Sequence, residues 1–124
     1  MDTPEFLIYA VKMKVGIYAR VSTQEQQTLP LQIKDLREFA MRRKWKIEVE
    51  ITDVASGAKT RLKREELLKL ARQRKIDCIL VWRLDRFGRS LADLITTLDE
   101  LNHLGVSFVS LNESLELPLR LEKP

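Results

Sequence analysis

Three short polar groups in this 124-residue chain hold residue types that could do chemistry together. Tyr18, Arg20 and Ser22 lie at i, i+2 and i+4, and so face one way while the chain stays extended. Asp53 and Ser56 follow a second apolar stretch, and Asp85, Arg86 and Arg89 follow a third. The lone histidine, His103, lies in a helical pattern far from these serines, so a Ser-His-Asp set is not expected. Three arginines beside a serine suit phosphoryl transfer instead. Guanidinium forks bind phosphate oxygens bidentately and stay charged at any working pH. Preorganised charge of that kind stabilises a pentacoordinate phosphoryl transition state. Ser22 would attack phosphorus and form a covalent ester.

Positioning these residues requires an alternation of strands and helices. Val15, Ile17 and Ala19 alternate through Lys14 to Arg20, which predicts the first strand. After the polar stretch Ser22 to Thr28, a helix is expected from about Pro30 to Lys44, with Leu29, Ile33, Leu36 and Ala40 on its apolar face. Trp45, Ile47, Val49 and Ile51 alternate with charged residues, the mark of an edge strand with one solvated face. A loop over 52–61 and a basic helix over 63–75 follow. The run Cys78 to Trp82 is continuously apolar, as in a central strand covered on both faces. Arg83 to Arg89 reads as a polar loop. The next helix spans Leu91 to Leu104, with Leu91, Leu94, Ile95, Leu98 and Leu101 as its core stripe. Ser90 and Asp93 are spaced as a capping box, Gly105 suits the other end, and His103 is placed to meet the last carbonyls. Val106 to Leu111 is a fourth strand, and the chain beyond it is too short for another large element.

This pattern predicts an α/β fold: three layers, a mostly parallel sheet of order 2-1-3-4, and helices on both faces. Ligands of such sheets bind beyond the carboxyl ends of the strands, where strand order reverses. All three polar groups fall at that edge.

The segments Tyr18-Ala19-Arg20-Val21-Ser22-Thr23, then Gln26, Asp53 with Ala55-Ser56-Gly57, and Leu84-Asp85-Arg86-Phe87-Gly88-Arg89 resemble the resolvase/invertase serine recombinases. The similarity covers about residues 14–113, in order and at nearly the family's spacing. The resemblance implies a flavodoxin-like catalytic domain that cleaves and rejoins double-stranded DNA. Ser22 matches the nucleophile, which keeps a 5′-phosphoserine link and frees a 3′-hydroxyl. Arg20, Arg86 and Arg89 match the phosphate-binding arginines, and Asp85 an active-site acid. Tyr18, Asp53, Ser56, Gln26 and, offset by one residue, Gln32 match supporting positions. A further family arginine falls on Arg64 by its Arg-x-x-Leu context, with Arg61 as the rival. No metal, cofactor or small-molecule substrate is implied, and complete members pair as dimers and synaptic tetramers. Such members continue into a long interface helix and a DNA-binding region. Residues 114–124 are expected to form a tail without either, and residues 1–13 an N-terminal extension.

Composition agrees with one domain: 44% apolar and 32% charged residues give a core and a solvated surface. The longest apolar runs are about six residues, far below a membrane span. The single cysteine, Cys78, allows no internal disulfide, and no export signal is evident, so a cytoplasmic, membrane-free protein is expected. The net charge of +4 decides little, but residues 34–75 hold 14 Lys and Arg against 7 Asp and Glu. Lys59, Arg61, Lys63 and Arg64 border the expected site and are the group most suited to touch DNA. Cys78, Trp45 and Trp82 read as core. Two other readings stay open: a catalytically incompetent remnant or regulatory partner keeping the fold, and a flavodoxin-like domain for a small phosphorylated ligand. Against the last, no Gly-rich phosphate loop follows the first strand.

Overall fold

The apolar run that begins at Cys78 forms the middle of the sheet. The computed structural model describes residues 13–54 and 58–118, without the side chains of 58–62. In it, β3 (Cys78–Val81) is buried along its whole length. It lies between β1 (Lys14–Val21) and β4 (Ser107–Ser110), and β2 (Lys46–Val54) forms the outer strand beyond β1. These pairings are all parallel. A fifth strand, β5 (Leu115–Leu117), adds antiparallel to β4 and completes the order β2-β1-β3-β4-β5. The sequence pattern predicts only a tail over these residues. Three residues carry too little periodicity to announce a strand, whereas the open edge of β4 offers ladder partners for it. A bidentate pair between Arg43 and Glu116 fastens it, at 2.8 and 3.1 Å.

The helices α1 (Leu29–Arg42), α2 (Ala58–Arg72) and α3 (Leu91–Leu104) divide between the two faces. Ile33, Leu36 and Ala40 of α1 pack on Val15, Ile17, Ala19, Cys78 and Leu80. Leu67, Leu68 and Ala71 of α2 and Leu101 of α3 pack on Tyr18, Ile79, Val81 and Phe108 from the opposite side. The alternation of β1 residues between these two clusters follows from the two-residue period of a strand. Trp45 and Trp82 pack, partly buried, at the margin of the first cluster.

Local differences from the expected elements have physical reasons. The polar stretch after β1 winds into a 3-10 turn, Thr23–Thr28, and a second such turn forms at Leu84–Arg86. Helix α2 starts earlier than expected, and β2 runs on through Asp53 because β1 pairs with it to Val54. In α3 the inward residues include Thr97 and Leu101, whereas Leu91 and Ile95 are exposed instead of core. Thr97 takes an inward position because its hydroxyl meets a buried guanidinium, described below. Ser90 Oγ accepts the Asp93 N–H as expected of an N-cap, but the Asp93 carboxylate takes the Arg89 N–H, not that of Ser90. Gly105 closes α3 at φ 74°, a left-handed position that glycine adopts without steric cost. His103 Nδ1 lies 2.8 Å from the Asp99 carbonyl one turn back. Among the described residues no helix is long and apolar enough to cross a membrane.

Candidate active site

The carboxyl ends of β1, β2 and β3 bring most of the sequence-predicted residues to one edge. The geometry sorts them into an open cleft and a buried support.

The cleft has a volume of about 380 Å³ and is lined by Arg20, Glu25, Gln32, Arg83 and Arg86, with Trp82 among its apolar walls. Ser22, half-buried, stands where β1 turns into the first 3-10 turn. Its N–H donates to Glu25 Oε1 at 2.9 Å, and the Glu25 N–H returns to the Ser22 carbonyl at 2.9 Å. The same Glu25 oxygen receives Arg86 Nη2 at 2.7 Å. Hydrogen bonds from Ser22, backbone and then hydroxyl, hold the Glu25 carboxyl below its ordinary range, with the charges of Arg86 and Arg83 assisting. Arg20 reaches over the second 3-10 turn, its Nη2 3.4 Å from the Asp85 carbonyl, while its Nε is buried without a hydrogen-bond partner. Gln32 is buried on α1; its amide donates to Thr28 Oγ1 at 3.1 Å and its carbonyl oxygen has no partner. Unmet polar atoms of this kind at a cleft wall mark places where a ligand or water would bind.

Phe87 fixes the loop that carries the third group. Its ring is buried between Tyr18, edge-on at 6.0 Å, and Phe108 at 5.1 Å. Gly88 lets that loop approach α3: a Cβ there would lie 2.7 Å from Leu94 Cβ. Glu113, beyond β4, accepts the Leu84 N–H at 3.1 Å and pairs with Ser110 Oγ. Burial would raise the Glu113 carboxyl, but the bonds from Ser110 and Leu84 hold it below the ordinary range. So anchored, the turn presents Arg86 to the cleft. Asp85 is exposed and its carboxylate pairs with Arg83 at 3.1 Å. Arg89 turns the other way, its Nη2 4.0 Å from Asp93.

The buried support lies behind, on the α2 and α3 face. The Tyr18 hydroxyl donates to Asp53 Oδ2 at 2.9 Å, and Lys63 Nζ stands 3.8 Å from Oδ1. Burial raises the Asp53 carboxyl above its ordinary value, against the Tyr18 hydrogen bond and the charges of Lys63 and Arg20. Burial also raises the Tyr18 phenol, and the neighbouring Asp53 charge adds to that shift. Arg64, only 3% exposed, extends from α2 to Thr97 Oγ1 at 2.6 Å and Asp93 Oδ2 at 3.1 Å, its guanidinium 5.0 Å over the Phe87 ring.

Of the sequence-predicted residues, then, the structure brings Arg20, Arg86 and Gln32 to the cleft, with Ser22 beside it through the shared Glu25 carboxylate. Tyr18 and Asp53 sit beneath it, with Asp85 and Arg89 on its flank. Arg64 is directed into the protein and pairs with α3. Gln26 is exposed on the first 3-10 turn, away from these contacts. Ser56 lies outside the described residues, as does the side chain of the rival Arg61. Sequence reasoning missed Glu25, Arg83 and Phe87. The spacing Ser22-x-x-Glu25 is that of a capping box and was the available signal. Phe87 was hidden in a stretch read as polar.

A three-layer α/β domain with an arginine-lined cleft at the carboxyl edge of its sheet is the class these features define. The chain belongs to the resolvase N-terminal domain family, which matches residues 15–121. It is similar to the transposon Tn552 DNA-invertase BinR of Staphylococcus aureus, with 45% identity over 106 residues, 85% of this chain and 50% of that protein. Among solved structures it is similar to the N-terminal catalytic domain of TP901-1 integrase, with 32% identity and a TM-score of 0.71 over 83% of this chain and 80% of that one. A resolvase family site-specific recombinase from Streptococcus pneumoniae gives a TM-score of 0.77 at 27% identity, over 86% of this chain and 76% of that one. The chain spans about half the length of the curated relatives it matches.

Proposed function

We propose that this domain is the catalytic part of a serine DNA recombinase of the resolvase/invertase type, acting on duplex DNA in the cytoplasm. The observation that carries the reading is the convergence of Arg20 and Arg86 at one cleft on the carboxyl edge of the sheet, with Ser22 beside it on the Glu25 oxygen that Arg86 also bonds. Ser22 Oγ attacks a backbone phosphorus and loses its proton; the P–O3′ bond breaks and the leaving 3′-oxygen gains one. Arg20 and Arg86 offset the charge that grows on the non-bridging oxygens. The 5′-phosphoserine ester conserves the energy of the broken bond, so the 3′-hydroxyl of a new partner reverses the step without a nucleotide cofactor. Support comes from the BinR relative, a DNA-invertase by name, and from the recombinase named above. Synapsis through further copies of the chain belongs to the same proposal.

The test joins residues 1–113 in frame to the interface helix and DNA-binding region of a complete relative. A covalent protein–DNA adduct at the cleavage sites is expected. Ser22→Ala should abolish it, and Arg86→Ala should slow its formation at least about tenfold, on the order of 1.4 kcal/mol in barrier. A chelator should leave the yield unchanged. An adduct that survives Ser22→Ala would overturn the nucleophile assignment.

A further inference from the structure

We infer that Glu25 occupies the phosphate position of the resting cleft, and that a phosphate entering beside Ser22 must displace its carboxylate from Arg86. This deepens the phosphoryl-transfer reading and rests on it. One oxygen, Glu25 Oε1, accepts both the Ser22 N–H at 2.9 Å and Arg86 Nη2 at 2.7 Å. One donor is the backbone of the proposed nucleophile's own residue and both meet at one point, so an anionic phosphate oxygen taking the place of Glu25 Oε1 would meet both. Carboxylate and phosphate satisfy a guanidinium through the same charge-assisted geometry, so they compete for it. Arg20 and Arg83 from the sheet edge and Asp35 from α1 face the same cleft. Once Glu25 swings out, three guanidinium groups remain for the incoming anion, with Asp35 as the acid still facing it.

The structure also supplies the means of release. The side chains of Arg86 and Glu25 are 30% and 33% exposed, so water can replace either partner. The turn that carries Glu25, Thr23–Thr28, contains no buried residue, so the Glu25 side chain can swing out while Thr28 keeps its bond to buried Gln32. Glu25 is thus a positioning residue. It holds Arg86 near Ser22 while the cleft is empty and is repelled once a phosphate arrives.

The experiment titrates the 124-residue chain with inorganic phosphate at fixed ionic strength and follows the Ser22 amide, the Arg86 side chain and the Glu25 carboxyl carbon by NMR. Glu25→Gln keeps an oxygen for the Ser22 N–H and removes the competing charge. It should bind phosphate about fivefold more tightly than the wild type. In the wild type the Glu25 carboxyl signal should move with the same midpoint as Arg86. Glu25→Gln binding equally or more weakly, or a Glu25 signal that stays still while Arg86 titrates, would overturn the inference and leave the phosphate site standing. If Arg86→Ala binds phosphate as the wild type does, the phosphate-site reading itself fails, and the inference with it.

Discussion

Arg64 and Arg86 carry the same side chain, both fall on family arginine positions by resemblance, Arg64 with Arg61 as its rival, and they stand in opposite surroundings. Arg64 is 3% exposed and held by Asp93, Thr97 and the Phe87 ring. The side chain of Arg86 is 30% exposed and held by one carboxylate that solvent also reaches. The first guanidinium is turned into the protein, where its Nη2 links α2 to α3 while its Nε has no hydrogen-bond partner. The second can exchange its partner for a ligand. A guanidinium near an active site is a candidate for substrate binding only when its resting partner can leave. Burial and the number of partners decide that more than residue type does.

Breaking the contrast should have its largest effect at Arg64. Removing Arg64 empties a buried position and leaves Asp93, itself 23% exposed, short of a partner, which should cost about 2 to 3 kcal/mol, below the range for a fully buried pair. Arg64→Ala should therefore lower the unfolding free energy by that amount in a urea titration, while Arg86→Ala leaves the unfolding midpoint nearly where it was. The activities should rank the other way per unit of stability lost, with the folded Arg86→Ala protein the poorer at forming the DNA adduct. Equal destabilisation by the two substitutions would erase the distinction drawn here.

The sequence carried much of this arrangement. The two-residue alternation from Trp45 to Ile51 located the edge strand, and the apolar run from Cys78 located the central one, because both periods are set by burial. It carried Arg64 as well, in a form easily misread: Arg64, Leu67, Leu68 and Ala71 follow the i, i+3, i+4, i+7 spacing of one helix face. A charged residue on that stripe must be buried with partners, but Asp93 and Thr97 lie on another helix, and no local spacing names them. Glu25 was obscure for a related reason. Its contact with Ser22 is local and follows from spacing, whereas its contact with Arg86 spans 61 residues and exists only once the sheet has formed. Strand β5 was illegible because its cause, the open edge of β4, is tertiary.

The Tyr18–Asp53 bond sharpens the comparison from the buried side. Tyr18→Phe leaves the packing and removes a hydrogen bond to a buried carboxyl, which should cost about 2 kcal/mol near neutral pH. The cost should depend on pH, with a sign that follows from Asp53. Burial raises the folded value of this carboxyl above its unfolded one, and the Tyr18 bond works against that rise. Between the two values the folded state binds more protons, so the Asp53 contribution to stability falls as pH climbs through that window. Without Tyr18 the folded value rises further and the window widens upward. The gap between wild type and Tyr18→Phe should be narrow in acid, where Asp53 is protonated in both states, and should grow as pH rises above the ordinary carboxylate range. Unfolding titrations at a series of pH values measure it, and a gap that narrows with rising pH would contradict the assignment.

The smallest effect should come from the second link between α2 and α3, where Arg72 grips Glu100 through two bonds at 2.7 and 3.0 Å. It joins the same two helices as Arg64 does, with good bidentate geometry, but its side chains are 43% and 38% exposed. Solvent and salt screen such a pair, and Glu100→Gln should cost no more than about 0.5 kcal/mol. The hydrogen bond from Arg72 holds the Glu100 carboxyl below its ordinary value. Its contribution is therefore present above the unfolded carboxylate value and lost as pH falls through the folded one, the reverse of Asp53. In 1 M salt the difference between wild type and Glu100→Gln should vanish, because the screening length there is about 3 Å, while the Arg64→Ala cost largely persists. If salt instead removed both costs alike, Arg64 would be as accessible to ions as Arg72, and the division between an internal strut and an available guanidinium would fail.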